Sequence, residues 1–407
     1  MTAPLSHIRV LDLSRVLAGP WASQFLADMG AEVIKIERPV HGDDTRGWGP
    51  PFAREPNADD PGISAYFACA NRGKQSVTVD MAHPKGQELI RQLAAKSDVL
   101  IENFKVGGLA KYGLDYASLK AVNPRLVYCS ITGFGQTGPY APRAGYDFLV
   151  QAMGGLMSVT GEPDGVPGGG PVKVGVAISD QMAGMNALAA ILTALLKRER
   201  TGEGEYIDVA LLDSTVAALV NQASTYLVAG TVPQRMGNAH PTVVPYQAFR
   251  TADGHIILAI GNDGQFQRFC TAAGIEHLAT DERYRTNAAR IVNRDTLIPA
   301  MADVIEQRTS ADWIALLEAR AVPCGPINTI DQVFADPQVT ARGMRRVLEH
   351  ETAGPLAVVA NPVRMASHDT TAAKAPPLLG ENTQRVLSDV LGLSADAIAA
   401  LRSEGVV

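Results

Sequence analysis

The 407-residue sequence predicts an α/β protein, with a large doubly wound, Rossmann-like domain and a smaller α+β domain. Three observations predict this fold class. The chain opens with a strand–helix–strand pattern, short apolar strands and helices alternate up to about residue 132, and the longest amphipathic pattern covers residues 180–198. Such alternation is typical of a parallel sheet, because parallel neighbours need a crossover connection.

The first βαβ pattern is the clearest of these signals. Residues 8–13 form a short apolar run, residues 21–29 have helical spacing, and residues 33–36 form a second apolar run. A break at residues 18–20 separates the first strand from the helix, and Gly30 ends the helix. Together these signals predict a right-handed βαβ unit.

The following elements extend the sheet. Further strands are predicted at residues 76–80, 98–102 and 126–132, with a helix at residues 85–95. The long helix at residues 180–198 is predicted to carry its apolar side chains on one face, and Gly202 follows its basic end. These apolar side chains are Met182, Met185, Leu188, Ala189, Leu192, Leu195 and Leu196.

The sequence pattern changes beyond about residue 225. Residues 247–250 and 256–260 flank an Asp-Gly dipeptide, which predicts a β-hairpin. We therefore expect three parts of the chain, which are a large α/β domain at residues 1–215, a small domain at residues 225–325, and a C-terminal segment at residues 328–407 that returns to the large domain.

Composition excludes several classes of function. A net charge of −6 argues against a nucleic-acid-binding surface. The four cysteines have no metal-ligand spacing and indicate reduced thiols in a cytoplasmic protein. No signal peptide precedes the first strand, and the apolar residues 182–196 are too few to span a bilayer. We therefore expect a cytoplasmic protein with no metal, nucleic-acid or membrane partner.

The βαβ opening could also belong to a dinucleotide-binding protein, with Glu37 near the end of the second strand binding a ribose. However, the glycine fingerprint GxGxxG is absent, since the turn at residues 16–20 reads VLAGP. An ordinary α/β turn is the favoured interpretation, and a dehydrogenase is the weaker alternative.

Basic residues follow several of the predicted strands, namely Arg38, Arg72, Lys74, Lys105 and Lys111. Taken singly, each is more typical of a solvated surface charge. As a set they favour an anion site, because the carboxyl ends of parallel strands meet at one crevice. Phosphate groups on a ligand would need such point charges.

Asp180 follows an apolar run and begins the long helix. Aspartate is a preferred N-cap, where its carboxylate accepts hydrogen bonds from free helix N–H groups. The same position also suits a nucleophile, because a helix N-terminus keeps a carboxylate ionised at neutral pH and fixes its direction. Both interpretations stay open on the residues alone.

Ordered motifs run along almost the whole chain. They are VLAGP (16–20), EVIKIERP (32–39), GDDTR (42–46), ENF (102–104), TGFGQTGP (132–139), AGYD (144–147), TG (160–161), ISD (178–180), GP (325–326) and PPLLG (376–380). In these motifs the sequence resembles the class III CoA-transferase family, the CaiB/BaiF group. The resemblance implies an interlocked homodimer, coenzyme A thioesters as substrates and no tightly bound cofactor.

Site residues follow from the resemblance position by position. It implies a nucleophile at Asp180, which forms an aspartyl-CoA thioester, with Tyr146 and the acidic Asp147 close to it. Contacts to CoA are implied at Val16, Leu17, Arg38, Lys74, Asn103, Phe104 and Lys111. Lys111 stands where relatives often have arginine, so that a bidentate phosphate contact becomes a point-charge contact.

The implied reaction moves CoA from an acyl-CoA donor to a carboxylic acid. The related α-methylacyl-CoA racemases have a histidine where this chain has Tyr146, and tyrosine is a poor base at neutral pH. Transfer is therefore the favoured interpretation. Racemisation and a non-catalytic CoA-binding protein are the alternatives.

Three stretches, at residues 48–52, 143–147 and 244–249, most resemble enzymes that use succinyl-CoA with glutarate or hydroxymethylglutarate. We therefore expect succinyl-CoA as donor and a dicarboxylate as acceptor, although family acceptors also include formate, oxalate, citramalate and carnitine-type acids. Residues 237–246 occupy the place of a glycine-rich lid in oxalate-specific relatives. Within them, His240 is a candidate contact for the acceptor carboxylate.

Overall fold

The computed structural model describes residues 3–53, 62–372 and 374–407. By their contacts the residues divide into two units. Unit 1 consists of Met1–Leu156, Val174–Ala223 and Pro337–Val407, and unit 2 consists of Met157–Lys173 and Ser224–Asp336. In the described part of the chain, no helix is long and apolar enough to cross a membrane.

The strands are numbered along the chain as β1 (Arg9–Asp12), β2 (Glu32–Glu37), β3 (Phe52–Ala53), β4 (Ile63–Ser64), β5 (Gln75–Thr78), β6 (Val99–Glu102), β7 (Val127–Thr132), β8 (Glu205–Ala210), β9 (Tyr246–Arg250), β10 (His255–Ala259), β11 (Cys324–Pro326), β12 (Arg345–His350) and β13 (Gly354–Val359).

The α-helices are α1 (Ala18–Asp28), α2 (Ala65–Ala68), α3 (Pro84–Ala95), α4 (Tyr116–Val122), α5 (Asp147–Met153), α6 (Leu156–Val159), α7 (Ile178–Thr201), α8 (Leu211–Ala218), α9 (Val220–Ala229), α10 (Asp263–Ala273), α11 (Glu276–Thr280), α12 (Asn287–Val292), α13 (Arg294–Ile305), α14 (Ser310–Glu318), α15 (Ile330–Ala335), α16 (Pro337–Ala341), α17 (Thr383–Asp389) and α18 (Ala395–Ser403). Short 3-10 helices lie at Asp44–Gly47 and Ala110–Tyr112.

Unit 1 is built on a six-stranded sheet in the order β5-β2-β1-β6-β7-β8. Every neighbouring pair in this sheet is parallel. The central strands are buried on both faces, which explains why their sequences are almost continuously apolar and do not alternate. The structure therefore confirms the predicted α/β class with a parallel sheet.

Helix α7 packs along α1, and the approach is close. A Cβ atom on Gly184 would lie 2.7 Å from the carbonyl oxygen of Ala18 and 3.3 Å from Cδ1 of Trp21. Gly202 ends α7 in the left-handed conformation, at φ 76°, as the sequence predicts. Glycine is favoured there because it has no Cβ to clash.

The predicted apolar face of α7 is only partly buried within this chain. The residues that α7 buries are mostly small, namely Ser179, Ala183, Gly184, Ala187, Ile191, Ala194, Leu195 and Arg198. Met185 and Leu196, from the predicted face, are exposed by 58% and 71%. Small side chains such as Gly184 face α1 where the two helices approach closely. Of the larger side chains, Leu195 is buried and Leu188 and Leu192 pack against the core.

The C-terminal residues belong to unit 1. Strands β12 and β13 form an antiparallel hairpin, and the side chain of Thr383 on α17 accepts a hydrogen bond from the Thr78 N–H at 3.0 Å. Val406 accepts a hydrogen bond from Asp80 N–H at 2.8 Å. The end of the chain thus covers the β5 edge of the sheet.

Unit 2 has its own core under a three-stranded antiparallel sheet, in the order β11-β10-β9. The predicted hairpin is confirmed, because β9 and β10 pair with Arg250 opposite His255 around the Asp-Gly turn. Helices α10 to α14 also belong to this unit, and Trp313 and Phe269 are fully buried in it.

Candidate active site

Asp180 lies in the first turn of α7 but is not its N-cap. The N-cap is Ala177, which has no side-chain cap, and Asp147 takes that role from α5. Its Oδ1 accepts hydrogen bonds from Ser179 N at 2.8 Å and from Asp180 N at 3.4 Å. Because Asp147 occupies the helix N–H groups, the N-cap interpretation of Asp180 is wrong.

The carboxylate of Asp180 has no hydrogen-bond partner among the described residues. Burial, followed by the charge of Asp147, raises the pKa of Asp180 from 3.8 to about 7. The expectation that the helix end keeps this group fully ionised at neutral pH is therefore also wrong. The physical reason is that the helix donors bind Asp147, which leaves Asp180 a half-buried carboxylate beside a like charge.

Asp147 is itself well fixed, whereas Tyr146 is not. The second oxygen of Asp147 accepts a hydrogen bond from Gln151 Nε2 at 2.7 Å, and Gln151 Oε1 in turn accepts from Val174 N at 2.8 Å. The structure thus brings Asp147 to the predicted nucleophile. Tyr146 precedes it as the N-cap of α5, and its side chain is exposed by 68%.

Tyr66 on α2 also lies near the two carboxylates, and sequence reasoning missed it. Its pKa is raised to about 12, first by burial and then by the charges of Asp180, Cys69, Asp147 and Asp43. The phenol therefore stays protonated at neutral pH and can donate a hydrogen bond. Nothing in the local sequence distinguishes Tyr66 from an ordinary core aromatic residue.

The turn before α1 is held in a conformation that a β-branched residue rarely adopts. Val16 has φ 69°, and its N–H points at both carboxylate oxygens of Asp43, at 3.3 Å each. The side chain of Asn103 holds both backbone groups of Arg15, accepting from its N–H at 2.9 Å and donating to its carbonyl at 2.6 Å. Side chains from the loops that follow β2 and β6 thus fix this turn.

This turn leaves free donors at the N-terminus of α1. Leu17 is the N-cap and offers no side-chain cap, and the N–H groups of Ala18 and Gly19 have no partner among the described residues. Gly184, one turn after Asp180 on α7, meets the carbonyl of Ala18. Residues four apart on a helix lie about 6 Å from each other, which places Asp180 close to this helix start.

A buried network of charges lies under the same turn. Lys35 Nζ lies 2.9 Å from Asp43 Oδ2, and Lys74 Nζ lies 3.1 Å from Asp12 Oδ2, with all four side chains inaccessible to solvent. Lys35 also donates to the Ser14 carbonyl at 2.8 Å. Burial is only partly offset by Asp12, so that the pKa of Lys74 falls to about 8.

Lys74 has no proton left for a ligand. Besides its contact with Asp12, the ammonium group donates to the Pro20 carbonyl at 3.0 Å and to Asn71 Oδ1 at 2.9 Å. An ammonium group has three donors, and all three are used here. The predicted contact of Lys74 with CoA phosphate therefore disagrees with this geometry, because the charge is enclosed by protein oxygens.

Glu37 is occupied in the same way. Arg46 donates to both of its oxygens at 2.7 Å, Ser76 donates at 2.6 Å, and Asp43 N–H donates at 2.9 Å. No acceptor site remains for a ribose hydroxyl. The dinucleotide interpretation therefore lacks the acid on which it depended.

A cavity of about 330 Å³ opens at the carboxyl ends of β5, β2, β1 and β6. Its lining includes Arg15, Arg38, Phe104 and Tyr112, and the guanidinium of Arg15 lies over the Phe104 ring at 5.5 Å. Arg15 was missed at the sequence level, although it directly follows the first predicted strand, as other predicted cations follow theirs.

The remaining predicted residues lie apart from this lining. Lys111 is exposed, with its Nζ over the Tyr112 ring at 4.6 Å, and Arg72 forms a buried ion pair with Asp28. His240 belongs to unit 2, where its Nδ1 accepts from Thr242 N at 3.1 Å. Among the described residues, no group of His, Cys, Asp and Glu could hold a metal ion.

Comparison with known proteins places this site in context. The model of a family described as CoA-transferase family III matches residues 5–383. The chain is 51% identical to a succinate–glutarate CoA-transferase of Agrobacterium fabrum, over 95% of this chain and 96% of that protein. It is 43% identical to the human succinyl-CoA:glutarate CoA-transferase, over 99% and 90%. A crystal structure of a CaiB/BaiF family protein from Brucella suis matches with a TM-score of 0.84 at 49% identity, covering 96% of this chain and all of that one.

Proposed function

Because the chain belongs to CoA-transferase family III and is a CoA-transferase, we propose that it moves coenzyme A from succinyl-CoA to glutarate through a covalent intermediate on Asp180. The substrates are those named for relatives at 51% and 43% identity along nearly the whole chain. The observation that carries the nucleophile is the half-buried carboxylate of Asp180, which has no hydrogen-bond partner among the described residues.

The reaction keeps the free energy of the thioester bond, because CoA passes from one carboxylic acid to another without hydrolysis. A carboxylate oxygen of Asp180 attacks the thioester carbonyl, and the C–S bond breaks to give a mixed anhydride and CoA thiolate. The thiolate attacks the aspartyl carbonyl, which forms the aspartyl-CoA thioester and releases succinate. A carboxylate oxygen of glutarate then attacks that thioester, and the C–S bond breaks to give an aspartyl–glutaryl anhydride and CoA thiolate. The thiolate attacks the glutaryl carbonyl, which forms glutaryl-CoA and releases the Asp180 carboxylate.

Residues of this chain supply the conditions that a carboxylate nucleophile needs. A raised pKa makes the ionised form of Asp180 more basic, and therefore more nucleophilic, than an exposed carboxylate. The free N–H groups of Ala18 and Gly19 suit the oxyanion that forms at the thioester carbonyl. The protonated hydroxyl of Tyr66 is a further donor near the same carboxylate.

We place the nucleotide end of CoA in the cavity at the sheet edge. Arg15 and Arg38 supply the positive charge, and the Phe104 and Tyr112 rings supply flat surfaces for a base. Lys74 is assigned to the buried network under the site, because its three donors are used. The strained turn at Val16 then presents its main chain between the cavity and Asp180.

The decisive experiment is intact-mass analysis of the protein after incubation with succinyl-CoA. A CoA adduct that hydroxylamine removes, mapped to the peptide of Asp180 and absent in Asp180→Asn, is expected. Asp303→Asn, an exposed acid on α13, is the matched control and should form the adduct. Transfer of CoA to added glutarate should be lost in Asp180→Asn only.

Two results would contradict the proposal. Transfer that persists in Asp180→Asn would remove the covalent role of this residue. Exchange of an α-proton of an acyl-CoA with solvent, without transfer to any acid, would instead support racemisation.

We further propose that the chain forms a homodimer, as the family resemblance implies. Helices α5, α7 and α8, which pack on one another, leave large apolar side chains exposed, namely Phe148, Met185, Leu196 and Val216 at 48–71%. Unpartnered apolar surface of this kind marks an interaction site. Light scattering should give twice the chain mass, and a monomer at micromolar concentration would contradict the proposal.

A further inference from the structure

Two glycine residues touch each other at the base of the loop that leads to Asp147. Gly133 follows β7, and Gly145 lies two residues before Asp147. A Cβ atom added to either glycine would lie 2.4 Å from the Cα atom of the other. Real Cβ atoms essentially never come within 3.0 Å of another heavy atom, so that at least one backbone segment would have to move.

Conformational freedom does not explain these glycines. Neither Gly133 nor Gly145 is among the residues with positive φ, so an alanine is allowed at both positions as far as the local backbone is concerned. The requirement comes from the closeness of two chain segments. Between the glycines the chain makes an eleven-residue excursion, residues 134–144, and the contact fixes where it returns.

Gly133 is anchored on its own side. Its carbonyl accepts a hydrogen bond from Leu212 N at 3.0 Å, which ties it to the start of α8. The preceding residue, Thr132, pairs with Ala210 at the end of the sheet. The glycine contact therefore fixes the position of Gly145 relative to the sheet.

Gly145 is linked to the proposed nucleophile through Asp147, which lies two residues after it. Asp147 accepts the Ser179 N–H at 2.8 Å, and that N–H belongs to the first turn of α7, next to Asp180. A displacement of Gly145 by the ångström or so that a methyl group demands would move Asp147 away from this turn. The helix donors would then be free to bind the carboxylate of Asp180 itself.

We propose that the Gly133–Gly145 contact is a positioning device that holds Asp147 on the α7 N-terminus and so keeps the Asp180 carboxylate unpartnered. The inference rests on the proposed role of Asp180. It assigns Gly133 and Gly145 as positioning residues, which touch no substrate and act only through Asp147.

The test compares Gly145→Ala and Gly133→Ala with Gly264→Ala, at a glycine in α10 of unit 2 whose nearest contact to an added Cβ is 3.5 Å. We expect Gly145→Ala to lower kcat by about 10-fold to 100-fold, since an ångström of displacement can have this effect. The KM for succinyl-CoA should stay within twofold, and Gly264→Ala should behave as the wild type.

Two further readouts separate positioning from a general loss of packing. The acid limb of the kcat/KM profile should fall below pH 7 in Gly145→Ala, because Asp147, whose charge raises the pKa of Asp180 in addition to burial, has moved away. Among the described residues, Tyr66 on α2 is a further titratable group near Asp180, and it stays protonated through this range. In an Asp147→Ala background, which already lacks the acceptor for the Ser179 N–H, Gly145→Ala should change kcat by less than twofold.

Distinct outcomes overturn distinct claims. A wild-type protein that forms no adduct and transfers no CoA would remove the proposed function. A wild type that transfers CoA, with folded Gly145→Ala equal to Gly264→Ala in kcat and in its acid limb, would overturn the positioning role alone. Full additivity of Gly145→Ala and Asp147→Ala would do the same. If both alanine variants fail to fold while Gly264→Ala folds, the contact serves the fold and the positioning role is overturned.

Discussion

Replacing the proposed nucleophile should make this protein more stable while abolishing transfer. The pKa of Asp180 is raised by burial and by Asp147, so the folded state binds this proton more tightly than the unfolded chain does. The ionised carboxylate therefore destabilises the fold. This contribution is absent below about pH 4, grows as the pH rises towards 7, and is fully present above pH 7.

The size of the effect follows from the two values. A change from 3.8 to about 7 corresponds to about 4 kcal/mol at about 1.4 kcal/mol for each factor of ten. Asp180 is half-buried, and solvent screening reduces this upper bound to about 2 kcal/mol. Asp180→Asn should thus raise the free energy of unfolding by about 2 kcal/mol at pH 8 and by less than 0.5 kcal/mol at pH 4.

Thermal and denaturant unfolding at pH 4, 6 and 8 measures this difference. The matched control is Asp303→Asn, an exposed acid on α13, which should change the free energy of unfolding by less than 0.5 kcal/mol at each pH. A loss of stability at pH 8 in Asp180→Asn, or an equal gain at pH 4 and pH 8, would refute the reasoning. Either result would mean that the ionised carboxylate is not held at an energetic disadvantage.

Three other outcomes are expected. Asp147→Asn keeps an oxygen for the Ser179 N–H but removes the charge that raises the pKa of Asp180, so the acid limb of kcat/KM should move below pH 7. An acid limb that stays in place or rises would contradict the assignment of this limb to Asp180. Arg15→Ala should raise the KM for succinyl-CoA about 10-fold and keep kcat within twofold, and Lys111→Ala should raise this KM less. A larger rise in KM for Lys111→Ala than for Arg15→Ala would exclude the cavity as the nucleotide site. Lys74→Met should lower the free energy of unfolding by about 3–5 kcal/mol, because Asp12 is left buried and unpaired. Adding Asp12→Asn should recover part of this loss. An unchanged denaturation midpoint in Lys74→Met would be inconsistent with the buried ion pair.

The sheet was accessible to sequence reasoning because its strands are buried on both faces. Residues 98–102 and 126–132 are mostly apolar and show no polar–apolar alternation over 99–101 and 126–129, and they contain β6 and β7. The turn chemistry was equally readable, since Gly202 and the Asp-Gly hairpin fall where the structure has them. The predicted domain limits at residues 215, 225 and 325 stay a prediction.

Local patterns failed where a distant segment decides the outcome. Of the larger side chains predicted on one face of α7, Leu195 is buried but Met185 and Leu196 are exposed, and close packing on α1 requires small residues such as Gly184. Asp180 looked like a cap, but Asp147 reaches that helix end from 33 positions away. Lys74 looked like a phosphate ligand, yet Asp12 encloses it. None of these partners is adjacent in sequence.

Two acids of unit 1, Asp43 and Asp180, lie in opposite electrostatic environments, and this difference supports the assignment of Asp180 as the nucleophile. Asp43 binds Lys35 and the Thr45 N–H, which hold its pKa at about 2. Among the described residues, by contrast, no cation acts on the pKa of Asp180, which is raised to about 7. Pairs of acids pushed in opposite directions by their surroundings are typical of catalytic sites. The buried cations stabilise the floor of the site through Asp12 and Asp43. Because Asp12 and Asp43 hold Lys74 and Lys35 in that network, these cations do not neutralise the charge of Asp180. The ionised carboxylate of Asp180 therefore stays reactive towards a thioester.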